Sequence, residues 1–154
     1  MTRSARADAG MTLVEIMVVV FIIGLASTLV VLNLPRGASP AQRAAEGLQT
    51  QLIRWQDQAI LSGAPIGLVV EEERYSAAIW RRGDWQAFGP VTALERQLRL
   101  TPEDIETQLA AANGPSIVFD PTGVTPSARF RLAGQGEVFI ISLTDDGDVR
   151  VEAR

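Results

Sequence analysis

Gly10-Met11-Thr12-Leu13-Val14-Glu15, followed by the uncharged run Ile16–Leu34, is the stretch whose reading decides the fold. The run is almost entirely Val, Ile, Leu, Met and Phe. As an α-helix it would be roughly 28 Å long, close to the hydrocarbon thickness of a bilayer. Soluble helices keep a polar face, so this purity reads as a membrane helix rather than a buried core helix. Gly24, Ala26, Ser27 and Thr28 are small residues of the kind at which membrane helices pack closely. A cleavable secretory signal fits less well. Met1–Gly10 carries Arg3 and Arg6, as a charged n-region should, but the apolar run exceeds an ordinary h-region. Val31-Leu32-Asn33-Leu34-Pro35 also offers no small-x-small cleavage site. The helix therefore reads as retained. Arg3 and Arg6 before it are matched by Arg36 and Arg43 after it, so the positive-inside rule leaves its orientation open.

Glu15 breaks the apolar pattern. A carboxylate at the bilayer edge or deeper costs up to about 3 kcal/mol on insertion scales unless it meets a cation at the same depth. Two readings stand: the side chain snorkels to the headgroups, or it has such a partner.

Beyond the run, Pro35, Gly37 and Pro40 break or kink the helix and mark a boundary. A second helix then starts with a full signal: Ser39 as N-cap, Pro40 at the first helical position, Gln42 as capping-box partner. Ala41, Ala45, Leu48, Leu52, Trp55 and Ala59 form one apolar stripe, and Ser62-Gly63-Ala64-Pro65 ends the helix. The stripe is short and rich in Ala, so it is expected to lie on the chain's own sheet rather than form a coiled-coil seam. From Pro65 the pattern turns to strands. Ile66–Val70 and Ser76–Trp80 flank the link Glu71-Glu72-Glu73-Arg74-Tyr75, and Gly83-Asp84 leads into Trp85–Phe88. Ser116–Phe119, Ala128–Leu132, Val138–Leu143 and Val149–Val151 complete the set, with a turn at Asp120-Pro121-Thr122-Gly123. Thr101–Ala112 is ambiguous. Thr101-Pro102 reads as a helix start while Ile105, Thr107 and Leu109 alternate, and a short helix or irregular segment is the expectation.

Composition narrows the chemistry. The chain has 154 residues, 47% of them apolar and 21% charged, enough for one folded domain of ordinary size. It has no His, Cys or Lys; all 14 basic residues are Arg. That excludes His, Cys and Lys nucleophiles and bases, disulfides, P-loop lysines and zinc sites of the usual ligand set. Carboxylates, hydroxyls and one phenol, Tyr75, remain. Glu103, Asp104 and Glu106 are candidates for paired catalytic carboxylates, but no apolar pocket is evident to raise either pKa, and they read as a solvated helix start. Asp145, Asp146 and Asp148 around Gly147 do not have EF-hand spacing, and Asp-Gly between strands reads as a hairpin turn. No enzymatic reading survives, and neither a cofactor nor a metal is expected.

The residues from Gly10 to Glu15, the apolar run behind them and the Arg-bearing leader before them resemble the class III signal of type IV pilins and type II secretion pseudopilins. The soluble part resembles the GspH/FimT branch. That likeness rests on Gln58-Ala59-Ile60-Leu61-Ser62-Gly63-Ala64-Pro65 with Ile66-Gly67-Leu68-Val69, on Gly83-Asp84-Trp85, and on Ile117-Val118-Phe119-Asp120-Pro121-Thr122-Gly123. The resemblance implies a pilin-like α+β fold. A long N-terminal helix, transmembrane in its first half and amphipathic in its second, packs on antiparallel β-sheets. It implies residues 1–10 as a leader that a prepilin peptidase removes on the cytoplasmic side, cutting between Gly10 and Met11 and methylating the new N-terminus. Met11 stands where the family usually has Phe. Residues 11–35 then form the membrane helix of a single-pass bacterial inner-membrane protein, and residues 36–154 a periplasmic domain. Glu15 would pair with the N-terminal amine of a neighbouring subunit. An α-amino group is mostly protonated at neutral pH, and in low dielectric an unpaired charge is costly, so the pair would set axial register.

The branch holds two functions. One is the minor pseudopilin of type II secretion, a structural subunit of the periplasmic pseudopilus that drives folded proteins through the outer membrane. Its implied partners are other major and minor pseudopilins, the prepilin peptidase, the inner-membrane assembly platform, the secretin and exoprotein cargo. The other is a minor type IV pilin acting in pilus assembly or DNA uptake. A net charge of −4 favours the first, because a polyanion is repelled by an acidic chain. Arg81-Arg82 beside Trp80 and Trp85 is the best basic-aromatic patch, and Arg150 and Arg154 alternate with Val151 and Glu152 beside three aspartates. Nucleic acid is not an expected partner.

Overall fold

The computed structural model describes residues 13–32, 37–104, 107, 110 and 114–154. They fall into two units, one holding helix α1 (Leu13–Leu32) and the other spanning Ala38–Arg154. Gly10 and Met11 lie outside the described residues, as do Ile105, Glu106 and Leu109.

In the larger unit the first element is α2 (Pro40–Ser62). Its ends form as the local sequence dictates. The Ser39 hydroxyl accepts the Gln42 backbone N–H at 3.0 Å, Pro40 opens the first turn, and Gly63 closes the helix in the left-handed conformation at φ 64°. The expected capping box is only half made. The Gln42 side chain turns down the helix and donates to Glu46 at 2.9 Å, where an i,i+4 carboxylate offers a stronger acceptor. The buried face of α2 is the stripe Ala41, Ala45, Leu48, Leu52, Trp55 and Ala59, as its spacing requires.

Among the described residues eight strands follow: β1 (Ile66–Glu71), β2 (Arg74–Arg81), β3 (Asp84–Ala93), β4 (Arg99–Pro102), β5 (Ile117–Phe119), β6 (Ala128–Gly134), β7 (Glu137–Leu143) and β8 (Val149–Ala153). They make two antiparallel sheets, ordered β3-β2-β1-β5 and β4-β6-β7-β8. Period-two alternation sends Ile66, Leu68, Tyr75, Ala77, Ile79, Ile117 and Phe119 inward from the first sheet. Phe130, Leu132, Phe139, Ile141 and Leu143 point inward from the second. α2 packs on both sheets, so the core is one cluster between the helix stripe and two strand faces. Gln49 on α2 donates to the Val149 carbonyl at 2.6 Å, occupying an acceptor of the edge strand β8.

Three local expectations change. The first hairpin link is shorter than Glu71–Tyr75, because β1 runs to Glu71 and β2 starts at Arg74, leaving Glu72-Glu73 as the turn. β3 runs through Gly89-Pro90 to Ala93, well past Phe88. It is an edge strand with an irregular register opposite Tyr75 and Ala77, a setting in which proline is tolerated. Thr101-Pro102 does not start a helix but ends β4, another edge strand, with Thr101 opposite Arg131 and Pro102 opposite Phe130. Thr107 and Ala110 are helical.

Candidate functional site

α1 is 20 residues long and carries Glu15 in its first turn, where the helix dipole favours an acidic side chain. Glu15 is exposed, and so are the large apolar residues around the whole circumference, among them Leu13, Met17, Phe21 and Leu25. Water does not suit such a surface; lipid tails or other apolar helices do. Its side chains are described from Leu13 to Ala26, about 21 Å of helix against a hydrocarbon core of about 30 Å. Among the described residues no helix is long and apolar enough to cross a membrane.

The groups that composition left available for chemistry are placed for structure. Tyr75 is 4% exposed and meets Trp55 edge-on at 6.2 Å between ring centroids. Burial raises its phenol, only partly countered by a hydrogen bond with the Thr92 side chain, so it is neither accessible nor primed to ionise. Glu103 pairs with Arg154 at 3.6 Å. Asp104 accepts the Thr107 backbone N–H at 2.7 Å and, with its other oxygen, the Arg129 backbone N–H at 2.8 Å. Burial works to raise the Asp104 carboxyl, but hydrogen bonds from the Thr107 hydroxyl and these two backbone groups outweigh it and hold the carboxyl below its ordinary range. The carboxylate thus fastens the segment after β4 to the start of β6.

Asp145, Asp146 and Asp148 lie in the β7–β8 connection. Gly147 takes φ 85° and donates to the Thr144 carbonyl at 2.9 Å, while Thr144 N–H donates to the Asp148 carbonyl at 3.0 Å. Asp146 accepts from the Thr144 hydroxyl and from Asp148 N–H, and Asp148 pairs with Arg150 at 2.9 Å. The Asp146 carboxylate is thus directed into the turn's own hydrogen bonds. Among the described residues no group of three or more acidic side chains is placed to hold a metal ion.

Trp80 and Trp85 stand directly opposite across the β2–β3 hairpin, rings edge-to-face with centroids 5.3 Å apart. Arg82 and Gly83 close the hairpin with φ of 55° and 85°, the signature of a type I′ turn. The structure does join the basic and aromatic residues that sequence singled out. Trp85 also reaches over Gly67 of β1, so its ring has a structural role. Arg129 and Arg131, a second pair of arginines on one face of β6, drew no attention in the sequence. Their signal was the alternation of Ala128-Arg129-Phe130-Arg131-Leu132.

Residues 44–150 match the family described as type II transport protein GspH. Residues 5–31, which include Gly10, Met11 and Glu15, match the prokaryotic N-terminal methylation motif. The fold resembles two structures of the minor pseudopilin EpsH from the type II secretion system of Vibrio cholerae. One aligns with a TM-score of 0.63 at 20% identity, covering 75% of this chain and 98% of that one. The other aligns with a TM-score of 0.62 at 18% identity, covering 77% and 96%. No curated protein matches the chain.

Proposed function

The chain belongs to the GspH family of type II transport proteins, and from that premise we propose that it works as a minor pseudopilin, a non-enzymatic subunit of a periplasmic pseudopilus. The observation that carries this reading is the coexistence, on one chain, of the methylation motif over residues 5–31 and the GspH match over residues 44–150. The exposed apolar surface of α1 supports it, since such a surface is stable only in lipid or among other helices.

In this reading residues 1–10 are the leader, residues 11–35 the inner-membrane helix and residues 36–154 the periplasmic domain. Prepilin peptidase cuts between Gly10 and Met11, and the new amine of Met11 is methylated. The Glu15 carboxylate of one subunit then accepts the N-terminal ammonium of its neighbour. The apolar helices adhere without strong register preference, and the charge pair fixes which axial position they hold, because mispairing leaves a charge stranded in low dielectric. The inner-membrane platform draws the subunit in with other pseudopilins, and the sheet domain meets neighbours, secretin or cargo. The family's description as type II transport favours this over a type IV pilus.

Deletion of the gene, with complementation, tests the reading through the fraction of a secreted enzyme that reaches the medium. The expected result is enzyme held in the periplasm and released again on complementation. Unchanged export would overturn the secretion role.

A further inference from the structure

Among the described residues of the larger unit six large apolar side chains are exposed, and four of them belong to the C-terminal half of α2 and the turn beside it: Ile53, Ile60, Leu61 and Val124. Ile53 is the least exposed of the four at 43% and Leu61 the most at 82%. Ile53, Asp57, Ile60 and Leu61 follow the i, i+4, i+7, i+8 spacing of a single helix face. α2 therefore carries a second stripe besides the one that packs on the sheets. Single apolar residues on a surface need no explanation, but a cluster of them marks an interaction site.

Two turns frame this stripe on one side. A Cβ at Gly123, in the β5–β6 connection, would stand 3.9 Å from Ile60 Cδ1, and Val124 is the next residue. Gly147, in the β7–β8 connection, lies so close to the Gln56 amide that a Cβ would overlap it. Both turns are acidic: the first holds Asp120, the second Asp145, Asp146 and Asp148. Asp148 pairs with Arg150 at 2.9 Å. Asp120 and Asp146 accept hydrogen bonds from Thr122 and Thr144 in their own turns and keep their charge. Among the described residues Asp57, Asp120, Asp145 and Asp146 stand outside any ion pair. The cations nearby do not offset them. The helix's 100° step puts Arg54 beyond Leu61, on the side away from both turns. Arg129 alternates with buried Ala128 and Phe130, so it points to the opposite side of its sheet from α2. Arg81 and Arg82 lie at the β2–β3 turn, across the first sheet from β5.

We propose that this flank docks a cationic amphipathic helix of a partner protein. The helix would lay its apolar face on Ile53, Ile60, Leu61 and Val124 and its basic residues over Asp57 and the two turns. α2 bonds its own backbone, so the flank offers side chains and no open strand edge. Apolar residues seven apart on a second helix match Ile53 and Ile60, which are two turns apart. Charge selects against other occupants. A two-fold pair of this chain would set one acidic flank on another, and a nucleic acid or an anionic lipid surface would be repelled alike. The inference stands on this flank and is independent of the filament the subunit enters.

The test uses the full chain in neutral-detergent micelles, with the signal of empty micelles subtracted. The probe is a fluorescent peptide of about 18 residues, long enough to hold a helix, with a leucine stripe flanked by arginines. Anisotropy is read at about 50 mM salt, where exposed charges are weakly screened. The intact protein is expected to bind this peptide at least tenfold more tightly than its counterpart with glutamates in place of the arginines. Ile53→Ala with Leu61→Ala is expected to weaken binding at least tenfold with an unchanged unfolding midpoint, and Asp57→Asn with Asp145→Asn to do the same. Glu72→Gln with Glu73→Gln, in the β1–β2 turn, removes as much charge and is expected to leave binding unaltered. Absence of binding, equal binding of the glutamate peptide, full affinity in either flank variant, or equal loss in the Glu72, Glu73 variant would each overturn the proposal. If a flank double variant unfolds, Leu61→Ala or Asp57→Asn alone takes its place under the same criteria.

Discussion

Pro115 packs directly on the bare Cα of Gly67, so closely that a Cβ at Gly67 would stand 2.4 Å from the proline ring and 3.3 Å from Trp85. Gly67 lies mid-β1, paired with Ala78 on one side and Val118 on the other. The contact therefore fixes how the segment entering β5 lies on the first sheet. Gly67→Ala should force that segment or the Trp85 ring to move, an overpacking cost of about 1–3 kcal/mol. Urea unfolding measures it. An alanine tolerated without loss would show that Pro115 gives way freely.

Leu52 is fully buried at the centre of the α2 stripe, while Ile53, one residue on, is 43% exposed. Leu52→Ala should cost about 2–5 kcal/mol through lost burial and an unfilled cavity. Ile53→Ala should stay within about 0.5 kcal/mol, as surface changes do. Equal losses in parallel denaturation curves would mean that α2 docks by another face.

Asp104 gives the fold a pH dependence with a defined sign. Burial pushes its carboxyl up, but the hydrogen bonds from Thr107 and Arg129 prevail and hold it below the ordinary 3.8. A carboxyl lowered in the folded state stabilises the fold above its unfolded value, and that contribution is lost as pH falls through the folded value. Asp104→Asn should therefore lower the thermal midpoint at pH 7, and the gap to the parent protein should narrow from about pH 4 downward. A gap constant across this series would show that the two backbone contacts do not depend on the charge.

Local features were the ones legible in the sequence. Ser39, Pro40 and Gly63 act within a turn of the chain, and the stripe from Ala41 to Ala59 is a single helical period, so α2 could be read nearly residue by residue. The inward residues of β6 follow from simple alternation. The extent of β3 and the existence of β4 were hidden, because Pro90 and Pro102 argue locally against a strand and only the edge positions supplied by β2 and β6 accommodate them. Sheet order was beyond reach, since β1 pairs with β5 about fifty residues later. The row Arg129, Ser142 and Arg150 was invisible for the same reason: Arg129 and Arg150 come together only once β7 lies between them. Glu15 stood out because one carboxylate heads an uninterrupted apolar run.

That carboxylate also carries the central claim. Glu15→Ala removes the proposed partner of a neighbour's N-terminal ammonium but leaves Gly10, Met11 and the apolar run intact. The decisive measurement is the fraction of processed subunit recovered in sheared pseudopili, for Glu15→Ala beside the unaltered chain. The account predicts normal membrane insertion and normal cleavage after Gly10, with incorporation reduced at least tenfold. Incorporation equal to that of the unaltered chain would contradict it.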